Sequence, residues 1–140
     1  MQDGGLDSYV LEDQIGFRLR LANQRHLEIF SAHFPEVTPT QFSTLVKLRQ
    51  CGVLSQNHLG RLVAMDAATT KGVIDRLRAK GLVQSQASVS DRRRLDISLT
   101  AAGVSFVARA LPVARQVSQL TTKNLAAEEL AQLLHLLDRL

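Results

Sequence analysis

The residues with the clearest chemistry lie between positions 61 and 94. Eight bases (Arg61, Lys71, Arg76, Arg78, Lys80, Arg92, Arg93 and Arg94) stand there against three acids, Asp66, Asp75 and Asp91. That is +5 in 34 residues of a chain whose total is +4, so everything else sums to −1. Concentrated positive charge is the footprint of a phosphate-binding surface. Within it, Thr69, Thr70 and Lys71 open one segment, with Asp75 and Arg76 one turn later. Threonine bonds to base edges or phosphates and lysine to guanine or phosphate, which makes Thr69 and Lys71 candidates for groove contacts. Thr70 either joins them or faces the preceding helix. Ser55, Gln56 and His58 are placed to hold a nucleic-acid backbone, helped by the helix dipole. The run Asp91-Arg92-Arg93-Arg94 sits in a polar loop. Asp91 is expected to brace that loop by pairing with Arg93 or Arg76, leaving Arg92 or Arg94 to enter a minor groove.

These residues need elements to position them, and the chain supplies start and stop signals. Thr38-Pro39-Thr40-Gln41 combines an N-cap, a proline at the first helical position and a capping box, so a helix is expected over Pro39–Gln50 with Phe42, Leu45, Val46 and Leu48 inward. Ser55 caps a short helix, Gln56–Val63, that buries Leu59, Leu62 and Val63; Asp66 caps another, Ala67–Lys80, that buries Val73, Ile74 and Leu77. Gly81 is placed as a left-handed C-cap. Leu82–Gln86 and Leu95–Leu99 read as a hairpin, Leu95, Ile97 and Leu99 alternating with Asp96 and Ser98. Two short helices joined by a tight turn and followed by a hairpin form a winged helix-turn-helix.

Long helices flank this unit. Leu6 to about Phe34 reads as one helix of about 40 Å, its apolar residues spread all round it. Thr100 caps a fifth helix over Ala101–Thr121, with Pro112 bending it. A leucine-rich helix near Leu125–Leu140 ends the chain. The first and last helices carry more apolar surface than a 140-residue chain covers alone, so a second copy is expected. The fold class is mainly α, in a single domain of residues 1–140: a winged helix-turn-helix over 38–100 with a two-stranded wing, and dimerisation helices over 6–34 and 101–140.

The stretches VTPTQFSTLVKL, LSQNHLGRLVAMDAATTKGVIDRLRAKGLV and SDRRRLDISLTAAG resemble the MarR (multiple antibiotic resistance regulator) family in order and spacing. Asp91-x-Arg93 followed by Leu99-Thr100-x-x-Gly103 is the most specific part. The resemblance implies a homodimeric transcriptional regulator on a pseudo-palindromic double-stranded operator, most like the family's repressors of aromatic or nicotinate catabolism. Two places depart from the family pattern. His58 stands where a Glu often completes the Ser55 capping box, and Ala67, Ala68 and Gly72 stand where Arg, Ser and Arg are common.

For control, Phe17, Arg20 and Gln24 share one face of the first helix, with His26 nearby. An aromatic ring, a guanidinium and an amide suit an aromatic or pyridine carboxylate, and the resemblance implies a ligand site to which Phe42 also contributes. Arg20 alternatively makes an intersubunit salt bridge. The lone Cys51 reads as a small buried residue rather than an oxidant sensor. His26, His33, His58 and His135 are scattered, so neither metal nor cofactor is expected. No catalytic motif stands out, and a regulator rather than an enzyme is expected. No apolar run approaches a membrane span, the start MQDGGLD has no signal-peptide character, and one cysteine fits a reducing cytoplasm.

Overall fold

In the computed structural model, which describes residues 8–140, the elements run in the order: a 3-10 turn Leu11–Asp13, α1 Ile15–His33, α2 Pro39–Cys51, β1 Leu54–Ser55, α3 Gln56–Leu62, α4 Ala67–Ala79, β2 Val83–Ala87, β3 Leu95–Leu99, α5 Ala101–Thr121 and α6 Ala127–Asp138. They fall into two compact units, Phe34–Gln116 and the residues on either side of it up to His33 and from Val117. Among the described residues no helix is long and apolar enough to cross a membrane.

The unit Phe34–Gln116 is a winged helix-turn-helix. Its core gathers Phe34, Val37, Leu45, Leu48, Leu54, Leu59, Val73, Ile74, Leu77, Val83, Ile97 and Val107. The caps are local and explain where the helices begin. Thr38 and Gln41 exchange side-chain and backbone hydrogen bonds, each of 3.2 Å, with Pro39 at the first position. Ser55 Oγ accepts from the His58 N–H and Asp66 Oδ1 from the Thr69 N–H. At the end of α4, Gly81 takes φ +74°, and the Gly81 and Leu82 N–H groups return to the carbonyls of Arg78 and Leu77. This is the left-handed termination that favours glycine. The Lys80 ammonium then donates to the Glu36 carbonyl and to Gln41 Oε1, tying the end of α4 to the start of α2.

The sheet is antiparallel and three-stranded, in the order β1-β3-β2. Val83 pairs with Leu99 and Ala87 with Leu95, while Leu54 and Ser55 add a short third strand to β3 opposite Ile97 and Asp96. This third strand adds to the two-stranded wing read from the sequence; two residues are too few to show an alternation. Ile97 is fully buried, but Leu95 is 43% exposed, because the outer end of the hairpin extends beyond the core.

Thr100 joins the wing to α5. Its hydroxyl accepts from the Gly103 N–H (3.0 Å) and donates to the Gly81 carbonyl (2.6 Å), and its own N–H donates to the Leu82 carbonyl. Gly103 is buried against that same carbonyl: a Cβ there would lie 2.0 Å from Leu82 O. The helix continues through Pro112 without ending.

Three expectations change. The first helix does not run from Leu6, which lies outside the described residues. Gln14 is extended (φ −89°, ψ 136°), and α1 starts at Ile15. Side chains capture the preceding carbonyls, Gln14 Nε2 that of Val10 and Arg18 Nε that of Glu12, so the backbone does not continue as a helix there. Cys51 is exposed, not buried. The buried stripe Gln41, Thr44, Leu45 and Leu48 would next reach position 51, but Gly52 (φ +77°) turns the chain there and its N–H caps Leu48. Leu62, expected inward, is 39% exposed at the last turn of α3.

Candidate nucleic-acid interface

The α3–α4 crossing sets which side chains face outward. Gly60 on α3 packs against Thr70 on α4 so closely that a Cβ at Gly60 would stand 2.5 Å from Thr70 Oγ1. Thr70 is buried and its hydroxyl donates to the Asp66 carbonyl at 2.7 Å. The choice left open for this threonine is thus decided: it is a packing residue facing α3 and leaves the set of candidate groove contacts. Thr69, one position earlier, is exposed.

Around the exposed side of α4 the charges are partly spent on each other. Lys71 Nζ sits 2.9 Å from Asp75 Oδ2, and Arg78 lies 3.6 Å from the other oxygen. The Lys71 hydrogen bond, with the charges of Lys71, Arg78 and Arg76, holds the Asp75 carboxyl below its ordinary pKa. Asp66 is lowered too, chiefly by the Thr69 backbone N–H. Arg78 Nη2 also donates to Ser85 Oγ on β2 (2.7 Å), linking α4 to the wing. Arg76 is exposed and folds along the helix, its Nη1 3.5 Å from the position a Cβ on Gly72 would take. On α3, Gln56 is half-buried, Asn57, His58 and Arg61 are exposed, and Ser55 is occupied as a cap.

The wing tip is braced differently from the expectation. Asp91 Oδ1 accepts from the backbone N–H of Arg93 (3.0 Å), and the Asp91 carbonyl accepts from the Arg94 N–H. An aspartate reaching a backbone donor two residues on makes a compact turn without a guanidinium, so the expected pairing with the Arg93 or Arg76 side chain is corrected. Arg94 lies 3.9 Å from Asp96. Arg92 and Arg93 are exposed and form no ion pair among the described residues.

Of the candidate effector residues on α1, Arg20 stays with Phe17 and Gln24 while His26 is engaged elsewhere. Arg20 stacks over the Phe17 ring at 5.4 Å, and Arg20 and Gln24 line an open depression of about 570 Å³ along α1. His26 turns elsewhere: Nδ1 lies 2.9 Å from Thr121 Oγ1, whose hydroxyl donates to the Val117 carbonyl. With that proton committed, the His26 Nδ1–H is the donor. Phe42 belongs to the other unit, with its ring 5.2 Å from that of Phe34.

The MarR family model matches residues 37–95, the stretch that holds the caps of α2, α3 and α4, the helix-turn-helix and the wing as far as the start of β3. The chain is also 40% identical over 134 residues to the HTH-type transcriptional repressor NicR of Pseudomonas putida, covering 94% of this chain and 85% of that one. The chain belongs to the MarR family. Among solved structures it is similar to Bordetella bronchiseptica BpsR, described by its regulation of DNA binding by 6-hydroxynicotinic acid (TM-score 0.90, 35% identity, 94% of this chain and 95% of that one). It is similar as well to a variant of Escherichia coli MarR complexed with operator DNA (TM-score 0.86, 25% identity, 96% and 98%). Sequence reasoning about this MarR-family chain missed three residues: Gly60, which sets the helix crossing, Arg78, which reaches the wing, and Lys80, counted as a phosphate cation but engaged with α2. Each depends on a partner distant in sequence or on helix phase. The basic run 61–94 includes Arg78 and Lys80, but no local signal marks Gly60.

Proposed function

We propose that the chain is a homodimeric repressor that binds a pseudo-palindromic operator and leaves it when a small aromatic acid, of the pyridine carboxylate class, is bound. On this reading residues 1–140 act as one domain. Thr69, Lys71 and Arg76 enter a major groove, Arg92 and Arg93 reach the adjacent minor groove, and Ser55, Gln56 and His58 approach the backbone. The observation that carries it is the exposed wing tip with unpaired Arg92 and Arg93, linked through Arg78 and Ser85 to the exposed side of α4. Self-association is supported by leucines left exposed on α6 (Leu133, Leu134, Leu136 and Leu137) and by Ile15, Leu19 and Leu27 on α1. The relatives are transcriptional regulators, which supports a non-catalytic role, and such a regulator works in the cytoplasm beside its DNA.

The effector reading rests on Arg20 over Phe17 beside Gln24, a guanidinium and a ring that suit an aromatic carboxylate. Ligand need only bind the released state better than the DNA-bound one. The test is selection of bound genomic DNA, then a gel shift with the selected fragment and 6-hydroxynicotinic acid. Salt-dependent binding released by the acid, with Arg20→Ala still dimeric and DNA-bound but unresponsive, is expected. Full response of Arg20→Ala removes the Arg20 site; failure to select any fragment removes the operator reading.

A further inference from the structure

At the elbow between α3 and α4 lies a cleft of about 200 Å³ whose rim carries Gln56, Asn57 and Arg61 from α3 and Ala67 from α4. It is open because α4 begins with methyl groups only, at Ala67 and Ala68. Ala67 and Lys71 are one turn apart, so the cleft shares the α4 face on which Lys71 stands. The Lys71 charge is offset by Asp75 at 2.9 Å. Arg61 is exposed and forms no ion pair among the described residues, and the nearby Asp66 carboxylate is engaged with the Thr69 N–H. The first turn of α4 therefore takes its available positive charge from α3. A guanidinium beside two side-chain amides offers several N–H donors around one recess, which is the chemistry of a phosphodiester oxyanion.

We propose that Arg61, helped by Asn57 and Gln56, holds a backbone phosphate of the DNA in the cleft left open by Ala67. This rests on the DNA-binding reading above and adds a contact that positions the duplex without reading its bases. The tests are DNA titrations of the full chain across roughly 50–200 mM salt with the selected operator and an unrelated duplex. The variants are Arg61→Ala and Ala67→Leu, both at exposed helical positions, with thermal melts to confirm folding. Arg61→Ala is expected to weaken both duplexes alike, roughly tenfold, and to lower the salt slope by about 0.9 for each phosphate no longer neutralised. Ala67→Leu, which fills the cleft, is expected to do the same while keeping every charge. Unchanged affinity and slope in Arg61→Ala overturn the proposal, as does a loss confined to the operator, which would mean base reading. Wild-type protein that binds no DNA in a salt-dependent way overturns the DNA-binding reading beneath it.

Discussion

Gly103→Ala should destabilise the fold although alanine is the better helix former. Gly103 stands in the first turn of α5, where alanine is worth about 1 kcal/mol over glycine in an unobstructed helix. Here the added methyl would meet Leu82 O at 2.0 Å and Leu99 Cδ2 at 3.2 Å, well inside the ~3.5 Å of a favourable contact. The obstacle is a backbone carbonyl that also accepts the Thr100 N–H at 3.1 Å, so it cannot rotate away as a side chain would. Overpacking of this kind costs about 3 kcal/mol, and loosening the Thr100 bond about 1 kcal/mol more. Net of helix propensity, the loss is about 3 kcal/mol, a large share of the 5–15 kcal/mol typical of a domain. The midpoint should fall by about 10 °C. The assay is thermal and urea unfolding at matched protein concentration, with Ala102→Gly at the exposed neighbouring position as control. The control should lose about 1 kcal/mol through propensity alone. Gly103→Ala unfolding within about 0.5 kcal/mol of the parent, or above it, would refute the close approach.

Further outcomes follow from the same geometry. Arg92→Ala and Arg93→Ala should each weaken DNA binding and lower its salt slope by roughly one phosphate contact, leaving the melting temperature unchanged; equal slopes in both would remove the wing from the interface. Asp75→Asn frees Lys71 and removes a negative charge beside the DNA, so affinity should rise several-fold with a steeper slope, and a weaker complex would show that the Lys71–Asp75 pair is needed as it stands. Asp66 has its pKa lowered by the Thr69 N–H. Its stabilisation is complete above the usual carboxylate range near ~4 and fades as pH falls through the depressed folded value. Asp66→Asn, which still caps but does not titrate, should therefore flatten the acid limb of melting temperature against pH.

The elements were legible where their signals are local. Thr38, Ser55, Asp66 and Thr100 cap helices through bonds to residues three positions on, and each helix start follows from that spacing. What could not be read depends on distant partners or on phase. The Gln14 break is made by side chains catching carbonyls, and β1 exists only because β3 returns beside it. Adjacent threonines in α4 have opposite fates because one residue turns the helix by about 100°: Thr69 faces out and Thr70 meets Gly60. The motif Leu99-Thr100-x-x-Gly103 was recognisable by resemblance, but its reason, a wing-root carbonyl seated on a helix, shows only in the folded chain.

The arrangement also limits how such a regulator can choose its DNA. With Thr70 inward, Ala67, Ala68 and Gly72 short, and Lys71 held by Asp75, α4 presents few groups able to discriminate bases. Arg76 lies back along the helix over Gly72, its Nη1 3.5 Å from where a Cβ there would stand. Besides Arg76, the exposed guanidiniums of this surface that form no ion pair among the described residues stand at its two margins, Arg61 at the elbow and Arg92 and Arg93 at the wing. On the proposed reading, margin cations follow the shape of the phosphate path and the width of the minor groove rather than the base edges. Selectivity then depends on whether two such surfaces, one per protomer, fit the duplex at the same time. A rigid pair with few base contacts gains or loses both halves together, so a small change in the distance between protomers has a large effect on affinity. An effector that alters that distance can release the operator without touching α4.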